Sequence, residues 1–302
     1  MRFSIFQDTA LGARAVNQDR MGYCFTRDSL LMLVADGMGG HLRGEVAAQI
    51  AMQAAGAAFQ QLARPALADP IGFLDHALRA AHREIIRYQA LHAMPEAPRT
   101  TVVACVVQQG RAWWAHAGDS RLYWIRNGHL KSRTRDHSKV ESLVALGLLE
   151  PHEQERHPER NKVLNCLGSP FEPTIEISPG AELQPGDTLL LCSDGLWSAV
   201  PEEDLCRRFG AGPVATVVPE LVRRAVAAAG RLADNTTALA MNWEGEGRTV
   251  DTLAGPPLPD GAVTTTIALG QLDAEAGADL SEDEIERTIR EIRSAIEKTG
   301  SR

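Results

Sequence analysis

Four aspartates in this chain sit directly after apolar runs that read as strands. Leu31-Met-Leu-Val-Ala-Asp36-Gly37, Trp113-Trp-Ala-His-Ala-Gly118-Asp119-Ser-Arg121, Leu189-Leu-Leu-Cys-Ser-Asp194-Gly195 and Ala233-Asp234-Asn-Thr-Thr237 all place a carboxylate at a strand end or turn. One Asp-Gly pair alone is ordinary turn chemistry. Four such ends can converge on one edge of a sheet, where the charges repel and raise each other's pKa until cations neutralise them. Oxygen-only ligands select hard cations, magnesium or manganese and not zinc. Glycine at position 37 lets the backbone come close and makes its carbonyl available as a further ligand.

Strands and helices must hold those carboxylates in place. β-Rich runs recur at Met21–Thr26, Leu30–Ala35, Thr101–Gln108, Ala112–Ala117, Leu122–Ile125, Thr188–Cys192 and Thr237–Asn242. Asn127-Gly128 between apolar runs is a strong hairpin signal, so part of the sheet is antiparallel. Two alanine-rich helical stretches, about Gly44–Ala63 and Ile71–His92, form an adjacent pair, and a third spans Pro213–Ala229. Strands grouped with helix pairs give a layered α+β sandwich.

Composition narrows the function classes. The chain has 302 residues, 44% apolar and 23% charged, which are ordinary globular values. A net charge of −8 argues against a nucleic-acid binder, which needs a basic face. The five cysteines, Cys24, Cys105, Cys166, Cys192 and Cys206, are scattered and form no C-x-x-C pair, so neither a disulfide framework nor a zinc knuckle is expected. There is no signal-peptide core and no apolar stretch near eighteen residues, so no membrane association is expected and the location is cytoplasmic.

The ordered motifs are Asp8-x-x-x-Gly12-x-Arg14-x-x-Asn17-Gln18-Asp19, Val34-Ala-Asp36-Gly37-Met-Gly-Gly40-His41-x-x-Gly44-Glu45, Gly118-Asp-Ser-Arg121, Asp136-His-Ser138, Ser193-Asp-Gly-Leu-Trp197 and Asp234-Asn-Thr-Thr237. Together, over roughly Ser4 to Asn242, they resemble the metal-dependent protein phosphatase family, type 2C (PPM), in its bacterial form. The resemblance implies a four-layer α-β-β-α sandwich with two central, mainly antiparallel sheets and a binuclear metal centre at one edge. It implies a protein serine/threonine phosphatase in which two Mn2+ or Mg2+ ions hold the water that attacks phosphorus. Carried over by position, Asp36 bridges the two metals, the Gly37 carbonyl lies on one of them, and Asp194 and Asp234 lie on the other. Asp119 resembles the ligand of a third, weaker metal, Asp19 would order metal-bound water from behind, and Arg14 resembles the phosphate clamp. Phosphorylated proteins are then the substrates, and a cognate Ser/Thr kinase is the implied counterpart.

Two positions depart from the family pattern. Met38 stands where eukaryotic members carry the histidine of Asp-Gly-His, leaving metal-bound water as the acid, and His41 is expected to pack or to cap a helix. Arg99 precedes Thr100-Thr101 where many relatives have glycine, with an effect expected on local packing only. The segment from Asp136 to Asn161 resembles the family's flap. His152 and His157 within it are expected to be solvated, and Trp113, Trp114 and Trp197 to serve packing. The alternatives are a catalytically weak phosphoprotein-binding module of the same fold, against which the complete aspartate set counts, and a two-metal nuclease, which the acidic balance disfavours.

After Trp243 the texture changes. The catalytic domain is expected to cover residues 1–243, a flexible Gly/Pro-rich linker 244–279, and an amphipathic helix 280–302 opened by the capping box Ser281/Glu284. Thr264-Thr-Thr266-Ile-Ala-Leu lies in that linker, where hydroxyls would be open to a kinase. Ile285, Ile289, Ile292 and Ile296 make one apolar stripe, with Glu286 and Arg290 paired on another face. The stripe is expected to dock on the catalytic domain, on a second copy or on a partner, and to be dispensable for hydrolysis of small substrates.

Overall fold

A computed structural model of the chain describes residues 1–38, 43–246 and 263–267, together with residues 286, 287, 289, 290 and 292. In chain order its elements are β1 (Arg2–Ala10), β2 (Asp19–Phe25), β3 (Ser29–Asp36), α1 (Gly44–Leu62), α2 (Pro70–Leu91), β4 (Val102–Gln108), β5 (Arg111–Ala117), β6 (Arg121–Arg126), β7 (His129–Arg133), α3 (Lys139–Ala145), β8 (Glu176–Ile177), β9 (Ala181–Glu182), β10 (Thr188–Cys192), α4 (Asp194–Trp197), α5 (Glu202–Ala211), α6 (Val214–Ala229), β11 (Thr236–Gly245) and β12 (Thr264–Thr265). One sheet runs β1-β11-β10-β6-β7 and the other β12-β2-β3-β4-β5-β8, with β9 also paired to β5. Every pairing between named strands is antiparallel.

The central strands have no polar face because both of their faces are buried. In β3, Leu30, Met32 and Val34 join the core between the two sheets, which Leu189, Leu191, Leu239 and Met241 fill from the other side. Leu31, Leu33 and Ala35 turn the opposite way and pack under α1 and α2. Leu190, Cys192, Ala238 and Ala240 do the same beneath α5 and α6. Period-two side-chain alternation thus builds the four layers α-β-β-α.

Local signals set the element ends. Asp69 accepts from Gly72 N at 3.0 Å and Pro70 opens α2, the arrangement that satisfies an otherwise unpaired helix donor. Asn127 and Gly128 both have positive φ, 51° and 74°, as the tight turn between β6 and β7 requires.

Strand register then gathers the carboxylates. Asp19 opens β2 directly opposite Asp36 at the end of β3. Asp119 follows β5, Asp194 follows β10, and Asp234 precedes β11.

The tail differs from expectation. β11 continues to Gly245, and Thr264–Thr265, expected in a flexible linker, form β12 against β2. Residues 286, 287, 289, 290 and 292 are helical, and Ile289 and Ile292 are buried in the core under α1 and α2. Arg290 Nε donates to the Glu286 backbone carbonyl at 3.3 Å instead of pairing with its carboxylate. Ser281, Glu284, Ile285 and Ile296 lie outside the described residues. No helix among the described residues is long and apolar enough to cross a membrane.

Phe59 of α1 is fully buried and meets Phe73 of α2 edge-on, with centroids 6.0 Å apart. Phe59→Ala should lower the unfolding free energy by about 3–5 kcal/mol in denaturant titrations. A loss below about 1 kcal/mol would mean the helices do not pack this way.

Candidate active site

The strand ends open into one cleft of about 460 Å³, lined by Arg14, Asp36, Gly37, Asp119, Asp194 and Asp234 among others. Every residue expected at the site lies there except Asp19, which sits buried behind it at 4% exposure.

Each side chain has a local reason for its position. The Asp36 carbonyl accepts from Thr101 N (2.9 Å) and Thr100 Oγ1 (2.8 Å), which fixes the end of β3. Gly37 donates its N–H to the Gln18 carbonyl at 3.2 Å, and a Cβ on it would come within 2.5 Å of the Gly44 backbone. Only glycine permits that approach of α1's first residue. Met38 N donates to the Arg99 carbonyl at 3.0 Å, so position 99 acts here through its backbone.

Behind Asp36, Asp19 Oδ2 accepts from Ser193 Oγ (2.7 Å), which itself accepts from Thr237 N (3.0 Å). Asp19 Oδ1 is buried without a hydrogen-bond partner. Asp194 begins α4, where a carboxylate also meets the positive helix end.

Asn235 fastens the loop that carries Arg14. Its Nδ2 donates to Leu11 O (2.9 Å) and Val16 O (3.1 Å), while its Oδ1 accepts from Gln18 N (2.8 Å). Gly12, at φ +63°, lets the same loop pass so near that a Cβ would lie 2.3 Å from the Asp234 carbonyl. Arg14 Nη2 then donates to Asp234 Oδ2 at 2.6 Å, and the pair is partly exposed. The arginine expected on phosphate therefore rests on a carboxylate.

Several contributors escaped the sequence expectations. Trp197, expected to serve packing, donates from Nε1 to the Asp119 carbonyl at 2.9 Å. Arg121 lies 3.6 Å above the Trp197 ring and grips Asp136 through two bonds of 2.8 and 2.7 Å, so a cation–π contact and a bidentate pair together steady Asp119. Asn161, the last residue of the flap segment, and Val163 just beyond it also line the cleft. Only Asn161 carried a signal, its place in that segment.

The histidines stay out of the cleft lining among the described residues. His152 is exposed, and His157 Nδ1 accepts from Glu159 N at 3.1 Å. His116 and His137 stack with centroids 4.6 Å apart and planes 20° from parallel, beside Glu176. His41 lies outside the described residues.

Electrostatics define what the cleft can hold. Burial, then the charges of Asp19, Asp194, Asp119 and Asp234, push Asp36 well above the usual carboxylate range. Burial, then Asp119, Asp234 and Asp19, does the same to Asp194. Asp119 is pushed up to about 7 by burial and Asp136, with Arg121 opposing. Burial raises Asp19 against the bonds from Ser193 and Thr237. Oxygen donors crowded into one cleft, held toward their protonated forms and with one orphaned carboxylate oxygen, fit hard divalent cations.

A folded-state pKa above the unfolded value of about 4 contributes stability that is complete below that value and lost as pH rises through the folded one. For Asp119 that window extends to about 7. Metal-free protein should therefore melt progressively lower between about pH 4 and pH 7, and saturating Mn2+ should remove most of the fall. Metal-free melting that rises with pH would contradict the charge crowding.

The family model for protein phosphatase 2C matches residues 7–229. The serine/threonine phosphatase stp of Listeria monocytogenes serotype 4b is 34% identical over 192 residues, covering 63% of this chain and 75% of that protein. The crystal structure of the Mycobacterium tuberculosis serine/threonine phosphatase PstP/Ppp superposes with a TM-score of 0.69 at 32% identity, covering 80% of this chain and 99% of that one. The PstP catalytic domain in complex with two manganese ions matches at TM-score 0.65 and 31% identity, over 80% and 97% of the two chains. With that family match, the shared fold and the carboxylate cleft of a dinuclear metal centre, the chain belongs to the protein phosphatase 2C family of serine/threonine phosphatases.

Proposed function

We propose that the cleft hydrolyses phosphoserine and phosphothreonine in proteins, and that Asp36, the Gly37 carbonyl, Asp194 and Asp234 would together hold two Mn2+ or Mg2+ ions. The observation that carries this is the meeting of Asp36, Gly37, Asp194 and Asp234 in a single cleft, in which Asp36 and Asp194 are held toward protonation by burial and by neighbouring carboxylates. Asp119 would hold a third, weaker ion. When bound, the cations lower the pKa of water toward neutrality and offset charge on the phosphoryl oxygens.

The chain's own residues do the rest. Asp19, anchored by Ser193, accepts hydrogen bonds from water at the back of the cleft through its free Oδ1. Arg14, at the partly exposed mouth, exchanges its contact with Asp234 for the phosphoryl group once that carboxylate is neutralised. Its fork binds two phosphoryl oxygens and aligns phosphorus for in-line attack. Met38 lines the cleft where eukaryotic members of the family carry histidine, so the departing serine or threonine oxygen takes its proton from water.

The enzyme would reverse a Ser/Thr kinase in the cytoplasm, where five free, buried cysteines suit a reducing compartment. Residues 1–245, to the end of β11, would form its catalytic unit.

Chelation of divalent metals should abolish phosphopeptide hydrolysis, and Asp36→Asn or Asp234→Asn should cut kcat/KM by about 100-fold or more while circular dichroism stays unchanged. Full turnover after exhaustive metal removal would defeat the reading. Arg14→Ala should raise KM for phosphopeptide about 10-fold or more, as loss of a charge-assisted pair predicts. An unchanged KM would take Arg14 out of substrate binding.

A further inference from the structure

The tail beyond β11 grips the elements that present half of the metal centre. Thr264 and Thr265 pair with Phe25 and Cys24 of β2. Thr266 N donates to the Tyr23 carbonyl at 3.0 Å, and Tyr23 N donates to Thr266 Oγ1 at 3.0 Å. These bonds cover the edge of β2, which has no other neighbour on that side of the sheet among the described residues.

Ile267 follows and is 4% exposed. It fills a socket floored by two glycines: a Cβ on Gly22 of β2 would come within 2.7 Å of Ile267 Cγ1, and one on Gly56 of α1 within 3.1 Å of Cδ1. Side chains at 22 and 56 would fill the space that Ile267 takes. Farther along, Ile289 and Ile292 enter the core under α1 and α2, and Arg287 Nη2 lies 3.2 Å from the buried Glu84 carboxylate of α2. The family match ends at residue 229, so these contacts belong to a part of the chain that the family model does not cover.

The two elements joined by Ile267 both end at the metal site. β2 starts with Asp19, opposite Asp36. α1 starts with Gly44, packed on the Gly37 backbone, and Glu45 Oε2 accepts from Gln18 Nε2 at 3.1 Å. Ile267 thus bridges β2 and α1, the two elements whose first residues lie at the site.

We propose that residues 263–267 act as an intramolecular clamp that, through Ile267 in the Gly22/Gly56 socket, preorganises this side of the centre for its cations. The proposal rests on the dinuclear phosphatase reading. Preorganisation strengthens binding by removing the cost of ordering ligands, so a released clamp weakens metal affinity without altering the chemistry of the filled site.

The test uses full-length protein with Ile267→Asp, which places a charge in the socket, and Ile267→Val as the conservative control. Gly56→Val is a second route to release, since it fills the socket from α1 without adding charge. Amide hydrogen exchange at Tyr23 and Thr266 reports docking, calorimetric titration with Mn2+ reports affinity, and kcat is read at saturating Mn2+. Ile267→Asp and Gly56→Val should lose protection at both amides and weaken Mn2+ binding about threefold or more, while kcat at saturation holds and Ile267→Val behaves as wild type. Loss of protection with unchanged Mn2+ affinity overturns the clamp and leaves the phosphatase reading intact. Wild-type protein that binds no Mn2+ and hydrolyses no phosphopeptide overturns that reading itself, and the clamp with it.

Discussion

Repulsion among buried carboxylates is the constraint around which this molecule is arranged. Asp19, Asp36, Asp119 and Asp194 are all pushed upward in pKa, each by burial first and by neighbouring carboxylates in part. Left alone, such a group protonates or opens the structure, because stripping water from several like charges costs more than local hydrogen bonds return. Divalent cations resolve the conflict and turn it into a binding site. The only cation lining the cleft among the described residues is Arg14, at its rim and on Asp234.

Holding these groups together falls to close backbone approach and antiparallel register. Gly37 against Gly44 brings the start of α1 onto the end of β3, and Gly12 against Asp234 brings the Arg14 loop over the cleft. The register that pairs Asp19 with Asp36 needs β2 and β3 to align over seven residue pairs. Apolar packing on both faces of β3 supplies that alignment, since a slip by one residue would turn Leu31 and Leu33 to the wrong layer. Core packing and metal chemistry are therefore linked through two strands.

What could be read from the sequence was local in origin. An aspartate after an apolar run announces itself, and so do the alanine-rich α1 and α2, whose small side chains allow close helix contact. The four-layer architecture and the placement of Arg14, Asp36, Gly37, Asp119, Asp194 and Asp234 followed from the resemblance and agree with the geometry. β1 carries little strand signal, because Arg2–Ala10 shows only weak alternation and is nowhere fully buried. α5 carries little helix signal, because only Leu205, Cys206 and Phe209 mark its inner face. Trp197 on the Asp119 carbonyl, Ser193 behind Asp19 and Thr264–Ile267 along β2 join residues far apart in the chain. No window of sequence contains both partners of such contacts, and in the tail one partner is a glycine socket with no side chain to notice.

If crowded, proton-holding carboxylates are what the cations relieve, then cation binding must expel protons. Calorimetric titration of metal-free protein with Mn2+ at about pH 6, repeated in buffers of different ionisation enthalpy, measures that release directly. The account predicts about one proton or more released per protein, falling as pH rises above the carboxylate pKa values. Binding of Mn2+ with no proton release at that pH would contradict it, because the carboxylates would then already be ionised in the metal-free fold.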